Sequence, residues 1–273
     1  AAQLTNFTAG ELSPRLDGRN DLAKYSAGCS TVENMVIYPH GAAARRPGTQ
    51  FVASVKTPAN NTRIIPFEFN TEQTYILELG NNYMRFYRDR GQILSSGNPY
   101  EISTPYTTAQ IFDLKFAQSA DVMYITHPSH QTRTLSRSGH TSWSLDAVSF
   151  TNGPFLDTNI STTTLTPSAA AVGSRTITAS AITGINGGSG FLTTDVGRQI
   201  RIGVGYGVIT ARTNTTVVVA TITTAFANAN ANADWSLGAF STTTGFPACV
   251  SFFEQRLVFA GTINNPQTVY FSK

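Results

Sequence analysis

Charged side chains and cysteines are scarce in this chain of 273 residues, and each scarcity excludes a class of protein. Charged residues make up 13% of the sequence, about half the ~25% that is usual, and the formal net charge is only +3. So small a net charge does not favour bulk binding of nucleic acid. The two cysteines, Cys29 and Cys249, are too few for a disulfide scaffold, and we expect both to be free, buried thiols.

Long hydrophobic runs and a secretory signal are also lacking. No apolar run approaches the ~18–20 residues that a membrane-spanning helix needs. Residues 1–11 have neither the basic start nor the apolar core of a signal peptide. We therefore expect a protein that is made in a cytoplasm and does not enter a bilayer by helices of its own.

The chain is nevertheless rich enough in hydrophobic residues, at 41%, to build a packed core. Beyond residue 60, short runs alternate apolar and polar residues, as strands with one buried face do. Gly80-Asn81 separates two of these runs and is a tight-turn signal. The first group of runs lies at 63–69, 74–79, 82–87 and 91–94. This pattern predicts an all-β protein.

Two further groups of runs repeat this design, and the second begins about 50 residues after the first. They lie at 111–118, 121–126, 132–137 and 143–148, and then at 248–253, 256–261 and 268–272. Four short antiparallel strands joined by hairpins form one blade of a β-propeller. Because a closed propeller needs about four blades or more, we expect either that the chain continues past Lys273 or that other chains complete the sheet.

Residues 158–244 interrupt this repeat, hold no lysine and are rich in Thr, Ala, Asn and Gly. Strand-like runs inside them lie at 175–179, 199–202, 207–210 and 216–222. The sequence thus predicts interrupted β-propeller-like blades with an inserted small β-barrel or sandwich, and a short N-terminal arm containing one helix. The predicted domains are the arm at 1–60, blades at 61–157, the insert at 158–244 and the start of a further blade at 245–273.

The arm contains many turn-forming glycines and prolines and one helix-like run at 21–35, with Asp21 as a candidate N-cap. Pro47 disfavours helical geometry at Arg46, so the Arg45-Arg46 pair is predicted to lie in an exposed turn. Arginine forms forked hydrogen bonds to carboxylates, which suits an interface between subunits. Contact with passing DNA and an ordinary surface loop are the alternatives. The candidate interface residues are Arg15, Arg19, Arg45 and Arg46.

Three histidines, His127, His130 and His140, could supply nitrogen ligands to a metal. Pro128 breaks the helix on which paired ligands usually sit, and no carboxylate or cysteine completes the set. We expect loop histidines, with no metal and no cofactor.

Three other patterns are weak signals for catalysis or ligand binding. Glu68, Glu72 and Glu78 lie among strand and turn residues that imply no fixed geometry for glycoside hydrolysis. The glycine-rich run at 203–207 is followed by no helix that could bind phosphate, so we expect a hairpin or bulge. The run SRSGHTSW at 136–143 is interpreted as a blade turn that ends in a core tryptophan. We expect no enzymatic activity.

Motifs along nearly the whole chain resemble those of the tail tubular B, or nozzle, proteins of short-tailed bacteriophages. In the arm they are GELSP at 10–14, GRND at 18–21, Tyr25, Glu33-Asn34 and RRPGT at 45–49. Further on they are LSR at 135–137, WSL at 143–145, GPF at 153–155, WSLGAF at 235–240, GFP at 245–247, QRL at 255–257 and NP at 265–266. Members of that family are usually longer and continue past a segment like 269–272.

The resemblance implies an interrupted β-propeller in several copies, typically six, that form a ring below the portal and its adaptor. The ring would retain and then release genomic DNA, with transient DNA contact and with tail fibres or spikes as further partners. The expected location is the tail of the virion, assembled in the host cytoplasm.

The run DVGR at 195–198 resembles part of a β-barrel in the first catalytic cysteine half-domain of ubiquitin-activating enzymes. This likeness implies a small barrel alone, because nothing in the sequence resembles an adenylating site or a thioester cysteine.

Three function classes therefore stand. The first is a structural tail protein that acts by assembly. The second is a receptor- or glycan-binding tail module, for which the insert at 158–244 is the candidate. The third is a propeller hydrolase, disfavoured because no acid–base set is evident.

Overall fold

The computed structural model describes residues 5–70 and 72–272, and the chain divides after Val52 into two compact units. The described residues are all-β, as predicted, and their helices are 3-10 turns of three residues each.

The first unit consists of two small two-stranded sheets. Strand β1 pairs in parallel with β2, while β3 pairs with β4 in antiparallel fashion. Among the described residues of this unit only Gly41 is buried, so the arm lacks a hydrophobic core of its own. The strands are β1 (Gly10–Glu11), β2 (Gly28–Cys29), β3 (Met35–Ile37) and β4 (Ala43–Arg45), and the 3-10 helices are Pro14–Leu16 and Tyr25–Ala27.

The predicted helix at 21–35 is wrong. Its candidate cap, Asp21, uses both carboxylate oxygens to accept hydrogen bonds from Arg19 at 2.7 Å each, so it does not cap a helix. One 3-10 turn at Tyr25–Ala27 follows, and the chain then enters β2.

Strand pairing explains why the helix is not continued. Gly28 is extended, with φ −112° and ψ 167°, and lies opposite Gly10 in the parallel pair. A Cβ on Gly28 would lie 2.5 Å from the Leu12 side chain, so Leu12 would have to move to admit a larger residue there. Tertiary pairing therefore overrides the helical pattern.

The second unit contains four main sheets and one small ribbon, β9–β10. The first sheet has the order β11-β7-β6-β5, with β8 on the end of β7. The second sheet is β12-β13-β14-β15, the insert sheet is β16-β17-β20-β19-β18-β21, and the third sheet is β22-β23-β24. The strands of the first sheet and the ribbon are β5 (Arg63–Glu68), β6 (Thr74–Gly80), β7 (Tyr83–Arg88), β8 (Gly91–Gln92), β9 (Leu94–Ser95), β10 (Asn98–Pro99) and β11 (Glu101–Ser103).

The remaining strands follow in chain order, with two 3-10 helices in the insert, Asn186–Gly188 and Thr193–Asp195. They are β12 (Lys115–Ser119), β13 (Val122–His127), β14 (His130–Gly139), β15 (Ser142–Ala147), β16 (Leu165–Pro167), β17 (Gly173–Ala179), β18 (Gln199–Ile202), β19 (Gly205–Arg212), β20 (Val217–Thr224), β21 (Trp235–Leu237), β22 (Cys249–Phe253), β23 (Arg256–Ala260) and β24 (Val269–Phe271).

The second sheet packs on a different sheet with each of its faces. On one face, Met123 and Leu135 share a core with Phe86 of the first sheet. On the other face, Tyr124 packs against the core that contains Val250 and Phe259 of the third sheet. The three sheets are thus stacked face to face in chain order. Their alternating side chains place one apolar row on each face of the second sheet.

The insert sheet curls into a half-barrel around its own core. Gly203 and Val204 form the turn of a hairpin between β18 and β19, as predicted for the glycine-rich run. The register shifts beside Gly207, where a Cβ would lie 2.3 Å from the carbonyl oxygen of Thr221. Glycine is needed there because the backbones approach closely.

Two predicted strands differ from the structure. The fourth strand of the first sheet is β11 instead of 91–94, since only Gly91 and Gln92 of that run pair with β7. The run at 111–118 is extended only from Lys115, because the residues before it form turns. Arg63 Nη1 holds these turns by donating to the carbonyls of Ile111, Phe112 and Leu114 at 2.9, 3.0 and 2.9 Å.

Candidate functional site

The Arg45-Arg46 pair is exposed and lies beside the β3–β4 hairpin. Arg45 ends β4 opposite Met35, so it belongs to a strand instead of the predicted turn. Arg46 Nε donates to Asn34 Oδ1 at 2.7 Å, and its backbone N–H donates to the Asn34 carbonyl at 3.0 Å. Arg46 is therefore already bound within the arm.

Arg15 and Arg19 lie on either side of Gly18 and are both exposed. Arg15 lies in the first 3-10 turn, and its backbone N–H donates to Ser13 Oγ at 3.4 Å. Arg19 forms a forked pair with Asp21, and this hydrogen bonding raises the pKa of Arg19 and lowers that of Asp21. Solvent screens so exposed a pair, so it adds little stability.

These contacts divide the four candidate arginines into two kinds. Arg19 and Arg46 use their guanidinium groups within the arm, whereas no side-chain hydrogen bond or ion pair holds Arg15 or Arg45 among the described residues. A guanidinium group that has no partner within the arm can form a forked pair with a carboxylate of another protein. Arg15 and Arg45 are thus the better candidates for an intermolecular contact.

The arm also exposes large apolar side chains. Met35 and Val36 are adjacent in β3, so they point to opposite faces of the hairpin, and both are exposed. Phe51 is 78% exposed, and Tyr38 and Val52 are exposed as well. Apolar side chains on both faces of so small a sheet leave surface available for a partner.

The two ends of the sheet stack are apolar too. On the third sheet, Phe253, Val269 and Phe271 are exposed, with Phe271 at 52%. On the first sheet, Ile64 is 67% exposed and Ile76 is also exposed. Each set lies on the face opposite to the core residues of its sheet, because successive strand residues alternate between faces.

The three histidines do not form one site. His127 and His130 have ring centroids 5.1 Å apart, and burial above all lowers the pKa of both. His140 follows β14 at its other end, roughly 30 Å from His130 at ~3.3 Å per strand residue. Its Nδ1 lies 2.7 Å from the Tyr75 hydroxyl. No group of three or more His, Cys, Asp or Glu suited to a metal occurs in residues 5–70 and 72–272.

Glu78 is buried in the first sheet, which the sequence pattern did not indicate. One carboxylate oxygen accepts from the Tyr83 hydroxyl at 2.5 Å, and the other accepts from the Tyr87 hydroxyl. Burial, and then the Glu78 carboxylate, raises the pKa of Tyr83 to about 12 and raises that of Tyr87 as well. Of the three glutamates weighed above, Glu78 is thus held by phenols, while Glu68 is exposed.

Asp195 and Arg198, in the DVGR run, are the most deeply buried charges of the insert. Asp195 also accepts from the backbone N–H of Leu192 at 2.8 Å and from Thr243 Oγ1 at 2.8 Å. Arg198 Nε donates to the Gly238 carbonyl at 2.7 Å. The signal that could have found this pair is the i, i+3 spacing of opposite charges in a segment with few charges.

A cavity of about 430 Å³ lies beside this pair. Asn159 and Asn186, in its wall, already use their amide groups for hydrogen bonds within the insert. Among the lining side chains, those of Asp157 and Asn264 have no hydrogen-bond partner within the described residues. The cavity therefore offers a ligand only a few free polar groups.

The turn and the core tryptophan predicted for the run at 136–143 are both present. This run contains the turn between β14 and β15 and ends in Trp143, whose ring centroid lies 4.4 Å from that of Phe86 and 4.8 Å from that of Phe67. Trp143 Nε1 donates to the His140 carbonyl at 3.1 Å. Trp143 thus packs in the core that the first two sheets share.

Both cysteines are free, as expected, but neither is buried. Cys29 is half-buried in β2 of the arm, and Cys249 is exposed on the edge strand β22. The expectation of burial is wrong, because β2 in the arm and the edge strand β22 each leave one side open to solvent.

No known protein family matches this chain, and no curated protein matches it either. Among the described residues, no helix is long and apolar enough to cross a membrane.

Proposed function

We propose that this chain is a structural component of a bacteriophage tail that forms a nozzle or tail-tube ring below the portal and its adaptor. It acts by assembly and carries out no chemistry. The motifs that resemble tail tubular B proteins, from GELSP at 10–14 to NP at 265–266, support this assignment. Its place of action is the virion tail, after assembly in the host cytoplasm.

The proposed architecture is an interrupted β-propeller. Two observations support it: β12 to β15 form a four-stranded antiparallel meander like one blade, and the three sheets stack face to face in chain order. The insert sheet, with strands between Leu165 and Leu237, separates the second sheet from the third along the chain.

The single observation that carries the assembly role is the amount of exposed apolar surface. It includes side chains of the arm, such as Phe51 and Val36, and of both ends of the sheet stack, such as Ile64 and Phe271, besides others in the insert. Where exposed apolar side chains form contiguous patches, such patches mark interaction sites. An assembly that covers them gains the hydrophobic free energy of ~25 cal/mol per Å² of apolar surface buried.

In this proposal the arm contacts the adaptor and neighbouring subunits through its apolar side chains and through Arg15 and Arg45. DNA contact is transient, because each phosphate contact adds affinity that release of the genome must overcome. A fixed protein interface therefore fits the free arginines better than a DNA site.

Negative-stain electron microscopy of the purified chain, alone and with the portal–adaptor complex of its phage, tests this function. The expected result is ring particles with a central channel that attach to the adaptor. A strictly monomeric chain that ignores the adaptor would contradict it.

A receptor- or glycan-binding role of the insert is the second candidate. The cavity of about 430 Å³ beside Trp235 and Asn264 favours it, since an aromatic wall with polar groups suits a sugar. Saturable binding on a glycan array, lost in an Asn264→Ala variant, would support this role, and silence on the array would leave the assembly role.

A further inference from the structure

We propose that copies of this chain associate head to tail, with the outer face of the third sheet in one copy stacked on the outer face of the first sheet in the next. This inference rests on the assembly role proposed above and names its partner, a second copy of the chain, and its two surfaces. We call them the third-sheet face and the first-sheet face.

The third-sheet face is defined by strand register. Val250 and Phe259 are paired and point to the core, so their strand neighbours point outward. Apolar side chains dominate the outer side, and Arg256, opposite Phe253, is its only charged strand residue. Glu254 lies in the turn between β22 and β23. The main outward residues are Ser251, Phe253, Arg256, Val258, Val269 and Phe271.

The first-sheet face carries exposed apolar side chains on β5 and β6 among polar ones, and its free charge is opposite to that of the third-sheet face. Ile65 and Phe67 point to the core, so Ile64, Pro66 and Glu68 point outward. Glu68 is exposed, and its carboxylate has no hydrogen bond or ion pair among the described residues.

The other charges on the first-sheet face are bound within it. Glu78 is held by Tyr83 and Tyr87, while Glu101 is paired with Arg85 at 3.0 Å and with Lys56 at 2.6 Å. Each of these groups therefore has its partner already, which leaves Glu68 for an intermolecular pair.

The chain itself provides the precedent for this contact. Its second sheet already packs by both faces, on the first sheet through Met123 and on the third through Tyr124. Stacked sheets lie ~10 Å apart with interdigitated side chains. A contact between a first-sheet face and a third-sheet face continues the same stack from one copy to the next.

Charge favours this pairing over contacts between identical faces. The strands of two third-sheet faces would bring two Arg256 side chains and no carboxylate, whereas the strands of two first-sheet faces would bring Glu68 as the charge without a partner. Opposite charges across an interface favour one partner and disfavour the wrong one. A contact between two different surfaces is heterologous, and repeated copies of it form a ring when the rotation closes.

Complementation between two blocked variants tests the inference. Phe271→Glu blocks the third-sheet face and Ile64→Glu blocks the first-sheet face, and both positions are exposed, so the fold should survive, as circular dichroism can verify. We expect each variant alone to be a monomer by light scattering. An equimolar mixture should form a heterodimer, because each variant keeps the face that the other lacks.

Three further measurements accompany the mixture. Val204→Glu, at an exposed apolar residue in the turn between β18 and β19, should assemble like the unmodified chain. Arg256→Glu and Glu68→Arg should each weaken assembly by about two- to fivefold, and the double variant should restore it. Alkylation of the exposed Cys249 thiol, which the third-sheet face carries, should slow on assembly and stay fast in Phe271→Glu.

The outcomes separate this inference from the proposed function. If either blocked variant still assembles, or if the mixture stays monomeric, the named surfaces are wrong while the assembly role stands. If the unmodified chain is monomeric both alone and with the adaptor, both proposals are wrong.

Discussion

Asp195 and Arg198 form an ion pair of 2.8 Å whose side chains are 0% and 1% exposed. The pair holds together parts of the insert that are distant in sequence, since Asp195 also binds Thr243 and Arg198 binds the Gly238 carbonyl. Burial lowers the pKa of Arg198, while the Asp195 carboxylate opposes this effect. The pair is thus an organising contact of the half-barrel.

Removing the Arg198 cation alone should strongly destabilise the folded chain. Arg198→Met leaves a buried carboxylate without its partner, so we expect the free energy of unfolding to fall by ~3–5 kcal/mol. The double variant Asp195→Asn with Arg198→Met removes both charges and should lose less. Denaturant unfolding measures both, and an equal loss in the two variants would contradict the electrostatic explanation.

Arg63 should stabilise the turns at 107–113, because its guanidinium donates to three backbone carbonyls. Arg63→Met should therefore lower the free energy of unfolding by ~1.5–3 kcal/mol, the usual value of hydrogen bonds to a charged group. Arg90→Met, at an exposed residue of the β7–β8 turn, is the matched control. Equal thermal midpoints for the two variants would contradict this role.

The Glu78 cluster should make the first sheet sensitive to alkali. The folded-state pKa of Tyr83, about 12, exceeds the ordinary value of ~10, so the neutral phenol stabilises the folded state. This contribution is complete below pH ~10 and is lost as pH rises towards 12. Tyrosinate absorbance should show late ionisation that Tyr83→Phe reduces by one phenol, because Tyr87 also ionises late, and an unchanged titration curve in that variant would contradict the cluster.

The arm arginines should differ in their effect on adaptor binding. Arg15→Ala and Arg45→Ala remove guanidinium groups that are free among the described residues, whereas Arg19→Ala removes one that Asp21 already binds. We expect the first two variants to bind the adaptor more weakly than the third does, by surface plasmon resonance. The opposite order would show that the Arg19 fork is the contact.

Deletion of residues 1–52 should separate folding from assembly. The second unit has three cores of its own, so it should keep its β-sheet circular dichroism and its unfolding transition. Adaptor binding should be lost, because the arm holds the proposed contact. A truncated chain that still attaches to the adaptor would assign that contact to the second unit.

Strands with one buried face could be predicted from the sequence, because alternation directly reports burial. The run at 74–79 and the core position of Trp143 are examples. The absence of a helix at 21–35 could not be predicted in this way. It follows from the parallel pairing of Gly28 with Gly10, and these two residues are distant in sequence. The strand at Glu101–Ser103 has three residues, too few for alternation to mark it in the sequence, and it gains its place by pairing with β7.

The buried polar contacts were harder to predict from the sequence than the strands. Glu78 lies among alternating strand residues as an exposed glutamate would, and only the fold brings Tyr83 and Tyr87 to it. Asp195 and Arg198 carried a spacing signal, but the partners that justify their burial come from distant residues. For the arm, sequence identified exposed arginines, while the contacts of Arg19 and Arg46 required the structure.

If this chain acts by assembling into a ring, its mass in solution must show the assembly. Light scattering of the purified chain across a concentration series, with and without the portal–adaptor complex, gives the number of copies. We predict a closed oligomer of defined copy number that binds the adaptor. A single-chain mass at every concentration, unchanged when the adaptor is added, would contradict the account.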